Sequence, residues 1–118
     1  MTTDYNPVRI EEAIRECANQ IAEGVKVCGE RYKAYLDADR EYDVAFALAY
    51  VDADGMPQQQ RKYHAELRTE SKRAARDDAD AAYRYADRRA RALEAELRAL
   101  QSVNKSVVSA YNVAGRGE

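Results

Sequence analysis

Two runs of residues, each advancing by three or four positions at every step, flank the segment Ala53-Asp54-Gly55-Met56-Pro57. The first reads Ile10, Ile14, Cys17, Ile21, Val25, Cys28, Tyr32, Tyr35, Asp39, Tyr42, Phe46, Ala49. The second reads His64, Leu67, Ser71, Ala75, Ala79, Ala82, Ala86, Ala90, Leu93, Leu97, Leu100, Asn104, Val107, Tyr111. Such spacing puts side chains on one face of an α-helix, so each run predicts one helix. Between them, Gly55 suits a left-handed helix cap and Pro57 cannot continue the helix before it. The expected fold is therefore all-α, a long antiparallel helical hairpin. Helix A covers about 7–52, the turn 53–57 and helix B about 58–113, with a flexible tail at 114–118.

Local signals agree with these bounds. Asn6 can cap orphan amides, and Pro7 gives up an amide that had no partner at a helix start. Gly24 and Gly29 each cost up to about 1 kcal/mol relative to Ala inside a helix. They make 24–30 the expected place for a kink or break, and a short first helix folded over the hairpin is the alternative architecture. Asp39 is the charged member of its run, with Ala38 beside it able to take the inward position.

A chain of 118 residues fits one domain, and extended helices leave it only a thin core. Val, Ile, Leu and Phe together number 19, low enough to raise the question of disorder. The strict periodicity and a net charge of only −2 oppose it. Ala, at 22 residues, points instead to long helices in close approach. A turn at Gly55 sets opposite each other residues whose numbers sum to about 111. Tyr32 and Tyr35 then face Ala75 and Ala79, and Ile14 faces Leu97, so large residues meet small ones.

Past Asn104 this register leaves helix B without a counterpart in helix A. Val103, Val107, Val108 and Tyr111 are accordingly the expected interface with a second copy, a folded-back N-terminus or a foreign partner. A homo-oligomeric helical bundle, dimer or higher, is the simplest of these. Charge points the same way: residues 1–54 carry 6 basic and 12 acidic side chains, residues 55–118 carry 13 and 9. The two arms attract each other, and so do two hairpins.

Chemistry-bearing patterns are few. His64 has no Cys or His at metal-ligand spacing and reads as a packed histidine near the turn. Cys17 and Cys28 share a helix face about 16 Å apart, too far to bond to each other, and read as small core residues. An intermolecular disulfide is the alternative. No phosphate-binding glycine loop or nucleophile elbow occurs. Glu11, Glu12 and Glu16 resemble half of the magnesium motif of all-α nucleotide pyrophosphatases, but the spacing is wrong and Glu41 with Asp43 does not complete it. No catalytic residue, metal or cofactor is therefore assigned.

The run Tyr83-Arg84-Tyr85-Ala86-Asp87-Arg88-Arg89-Ala90-Arg91 interleaves aromatics with guanidinium groups, as single-strand nucleic-acid binders do. Tyr83, Arg84, Tyr85, Arg88, Arg89 and Arg91 are the candidate contacts to single-stranded DNA. The bland alternative is a solvated face with acid-first pairs Asp80–Arg84, Asp87–Arg91 and Glu94–Arg98. Nine Tyr against one Phe and no Trp suit a slender core or an interface. Tyr5, Tyr50, Tyr83 and Tyr85 fall off the two runs and are expected to face a partner. No apolar run is long enough to span a membrane, and Met1-Thr2-Thr3-Asp4-Tyr5 carries no signal-peptide pattern, so a cytoplasmic protein is expected.

Residues 30–112 resemble small helical proteins encoded in the early regions of tailed bacteriophages and prophages, near recombination and single-strand-binding genes. The resemblance is carried by Tyr32 and Ala34, Glu41-Tyr42, Ala45, Ala47 and Ala49-Tyr50, then Ala53-Asp54-Gly55, Arg61, Ala65-Glu66-Leu67 and Arg68-Thr69. The closing Leu93-Glu94-Ala95-Glu96-Leu97-Arg98-Ala99-Leu100-Gln101-Ser102 completes it. It implies phage origin, a bacterial cytoplasm, and an accessory role in DNA replication or recombination through a phage or host protein partner. Inhibition of a host defence protein is the alternative role expected of a non-enzymatic helical protein with an unpartnered end. No site residue is carried over from it.

Overall fold

The computed structural model describes residues 6–116, with the side chain of Arg116 left out. They form three helices, α1 (Pro7–Asp52), α2 (Gln58–Arg68) and α3 (Glu70–Arg116), and among the described residues there is no strand. The chain is an all-α helical hairpin, as the two runs predict. Among the described residues no helix is long and apolar enough to cross a membrane.

α1 starts where Asn6 and Pro7 dictate. The Asn6 side-chain oxygen accepts a hydrogen bond from the Arg9 amide at 2.9 Å, satisfying one of the orphan donors of the first turn. The helix then runs for 46 residues without interruption. The break expected near Gly24 and Gly29 is absent. Two penalties of about 1 kcal/mol, five residues apart, are small against the hydrogen-bonded turns on either side of them.

At the other end, the Asp54 amide donates to the Val51 carbonyl at 3.1 Å and the Met56 amide to Ala53 at 3.1 Å. Gly55 has φ 98°, and among the described residues it alone takes positive φ. Only glycine adopts that conformation without a Cβ penalty, which is why the chain turns here.

The second arm differs from expectation. It is two helices, divided at Thr69 (φ −114°, ψ 14°). The Thr69 hydroxyl donates to the Ala65 carbonyl at 2.6 Å, in competition with the Thr69 amide, which bonds the same oxygen at 3.1 Å. A threonine that bonds back four residues bends a helix, and Thr69 is buried, so the bend is held by packing. α3 then continues to Arg116, past the expected end near 113.

The chain divides into two compact units. Unit 1 joins the start of α1, up to Lys26, with α3 from Asp87 onward; unit 2 is Val27–Ala86 and contains the turn. In unit 1, Ile10, Cys17 and Leu93 are buried. Burying one side chain of the size of Ile10 or Leu93 contributes roughly 1.5–3 kcal/mol. The Cys17 thiol donates to the Leu93 carbonyl at 3.3 Å, a direct link between α1 and α3. In unit 2, Ala49, Ala53, Ala65, Thr69 and Ala86 are buried. The seam at the turn thus consists of small residues, which let α1 and α2 approach closely. No large side chain among the described residues is completely buried, so the core is thin in both units.

Candidate functional site

Arginines reach across the seam of unit 2 and stack on its tyrosines. The Arg76 guanidinium, on α3, lies 4.5 Å from the Tyr42 ring centroid on α1 and 3.9 Å from the Asp39 carboxylate. Its Nη2 is 3.2 Å from Asp77. Partial burial by itself lowers the Arg76 pKa, but the hydrogen bond and charge of Asp77, with Tyr42 and Asp39, more than offset this and raise it above its ordinary value. Asp39 is therefore held by an arginine, and the inward charge on the first run is explained. Arg61, on α2, stacks on Tyr50 at 4.5 Å and donates to the Tyr50 carbonyl at 3.3 Å. Arg31, on α1, donates to the Ala82 carbonyl at 3.3 Å.

These contacts reassign several tyrosines. Tyr32 packs against Tyr83, with ring centroids 5.1 Å apart and planes at 52°, and Ala75 is exposed. Ala79 is half-buried, and Tyr83, one turn further along α3, gives Tyr32 an aromatic contact that the expected register of large against small residues did not include. Tyr50 stacks on Phe46 at 6.4 Å. Tyr50 and Tyr83 are thus engaged within unit 2, and both are half-buried. Tyr5 lies outside the described residues.

The candidate nucleic-acid residues do not behave alike. In unit 2, Tyr83 is committed to Tyr32, Arg84 is bonded to Asp80 at 3.1 and 3.2 Å, and Tyr85 is exposed. In unit 1, Arg91 pairs with Asp87 at 3.2 Å, while Arg88 and Arg89 are exposed and make no ion pair among the described residues. Two of the three expected acid-first pairs form. Glu94 with Arg98 is not among them.

Near the end of α3, in unit 1, Val103 and Val107 are half-buried. Beyond them Val108 is 42% exposed, Tyr111 61% and Val113 68%. The apolar face continues past the point where the described residues cover it.

Two further apolar rows escaped the sequence reading. On α1, Val44, Leu48 and Val51 are 55%, 61% and 65% exposed. On α2, Tyr63 and Leu67 are 54% and 75% exposed. The inward position assigned to Leu67 is instead taken by Ala65 and Thr69, whose small side chains allow the close seam. The signal for the first row was present in the spacing 44, 48, 51, a second helical face on a helix already read by its first.

Cys17 and Cys28 are both free, the first buried and the second half-buried. His64 is half-buried near the turn. Among the described residues no group of three or more His, Cys, Asp or Glu side chains could hold a metal ion. No protein-family model matches the chain, and neither does any curated protein or solved structure.

Proposed function

We propose that this chain is a non-enzymatic helical binding protein that associates with itself and acts through protein contacts, as an accessory to phage DNA replication or recombination. One observation carries the binding reading: the apolar row Val103, Val107, Val108, Tyr111 at the end of α3, whose outer members are exposed. Contiguous apolar surface of this kind is costly to leave in water and marks contact with another macromolecule. The phage setting rests on the sequence resemblance alone, and inhibition of a host protein uses the same surface with a different partner.

Light scattering on the full chain tests self-association. The expected mass at micromolar concentration exceeds the 13.3 kDa of one chain, and Val108→Asp with Tyr111→Glu lowers it. A wild-type chain that stays at one-chain mass throughout ends the oligomer reading.

A second reading, single-stranded nucleic-acid binding, draws on Arg88 and Arg89, exposed and without an ion pair among the described residues. Such binding weakens steeply with salt. If oligonucleotides do not bind at low ionic strength, or bind equally well after Arg88→Gln and Arg89→Gln, this reading fails.

A further inference from the structure

Two arginines of unit 2 stack on tyrosines, and they differ in one respect. Arg76, over Tyr42, is neutralised by Asp39 and Asp77. Arg61, over Tyr50, makes no ion pair among the described residues: it donates to the Tyr50 carbonyl at 3.3 Å, and its Nε is buried with no hydrogen-bond partner. A half-buried cation without a counter-anion costs free energy. The neighbouring Lys62 is exposed and also makes no ion pair among the described residues, and the first turn of α2 carries no acidic side chain. Two adjacent cations are therefore left uncompensated.

They border a groove of about 520 Å³ between α1 and α2. One wall is Phe46 and Tyr50, a single turn apart on α1, with ring centroids 6.4 Å from each other and planes at 24°. The other is Gln58, Gln59 and Lys62. The groove stays open because α2 begins with Gln58-Gln59-Gln60, which offers no apolar side chain to cover the two half-buried rings. Its volume is that of a small-ligand site, and its lining joins apolar surface to two amides and a cation, with no acid. A neutral apolar occupant would leave both cations uncompensated. A polyanion is disfavoured, since the exposed Asp52 and Asp54 stand at the turn that precedes α2. One flat ring system bearing one anionic group meets both requirements.

We propose that this groove binds a small aromatic anion, its ring against Phe46 and Tyr50 and its anionic group at Lys62. The site lies wholly in unit 2 and is independent of the row at the end of α3.

Phe46 is the one phenylalanine of the chain, so the full-length protein labelled with para-fluorophenylalanine carries a single fluorine reporter in the groove. Titration with naphthalene-carboxylate is expected to shift its fluorine NMR signal to saturation at submillimolar to millimolar concentration, and less readily as salt is added. Acetate, which lacks the ring, and naphthylmethanol, which lacks the charge, are expected to bind at least about five-fold more weakly. Lys62→Gln weakens naphthalene-carboxylate by about the same factor, while Lys105→Gln, which removes an exposed cation of unit 1, leaves it unchanged. Circular dichroism checks that both variants keep their helices. A tripeptide ending in phenylalanine presents the same two groups on a chain end, and whichever of it and naphthalene-carboxylate binds more tightly identifies the source of the anion. No saturable shift with either, equal binding of naphthylmethanol, or an affinity untouched by Lys62→Gln overturns the proposal.

Discussion

The guanidinium of Arg76 lies over the Tyr42 ring, 4.5 Å from its centroid, and ties α3 to α1 at mid-length of unit 2. A planar cation does this better than an ammonium group, since it stacks on the ring while its fork still reaches Asp77 and Asp39. Arg76→Lys keeps the charge and loses the stacking. It is expected to lower unfolding stability by about 1 kcal/mol, and a double-mutant cycle with Tyr42→Leu is expected to give a coupling of about 0.5–1 kcal/mol. Purely additive effects in urea denaturation would show that the stacked pair contributes nothing.

Gly24 and Gly29 sit inside α1, and an added Cβ at either meets nothing within 4 Å. Alanine there gains helix propensity and constrains the unfolded chain, at no steric cost. Each substitution is expected to stabilise the protein by about 0.5–1 kcal/mol, read as a higher denaturation midpoint with unchanged slope. Destabilisation by either alanine would mean that another surface closes on the glycine.

Burial pushes the Cys17 thiol above its ordinary pKa of 9.0, and the nearby Glu96 carboxylate acts in the same direction. The folded state therefore keeps the proton that the unfolded chain gives up first. This contribution to stability is fully present below pH 9 and is lost as the pH rises beyond it. Cys17→Ala is expected to remove that part of the alkaline fall, visible as a smaller difference in stability between pH 8 and pH 10 than in the wild type. At neutral pH a thiol reagent should modify the half-buried Cys28 first, and Cys17 only as fast as the chain opens. Equal rates for the two thiols would contradict the burial of Cys17.

The bounds of α1 and the turn were legible because local chemistry specifies them: Asn6-Pro7 at one end, and Gly55 with Pro57 at the other. Thr69 was not, since a hydroxyl that bonds back to Ala65 leaves no mark in the spacing of apolar residues. The seam was legible as a face but not as a partner list. Tyr32 chose Tyr83, and Arg76 took a place that hydrophobicity alone assigns to alanine, because stacking of arginine on tyrosine is invisible to an apolar count. Leu67 was read inward for its hydrophobicity, and Ala65 and Thr69 displaced it by being small. The arithmetic of the two arms grouped Val103, Val107, Val108 and Tyr111, of which Val108 and Tyr111 are exposed and Val103 and Val107 half-buried; the outward rows of unit 2 were missed because one face of each helix had already been assigned.

The chain contains no tryptophan, so Tyr111→Trp installs a single reporter on the exposed end of α3. With that end docking on a second copy, the emission maximum moves to shorter wavelength as the protein is concentrated from nanomolar to tens of micromolar, in step with the mass seen by light scattering. An emission maximum that stays at the water-exposed position over the whole range would contradict the account.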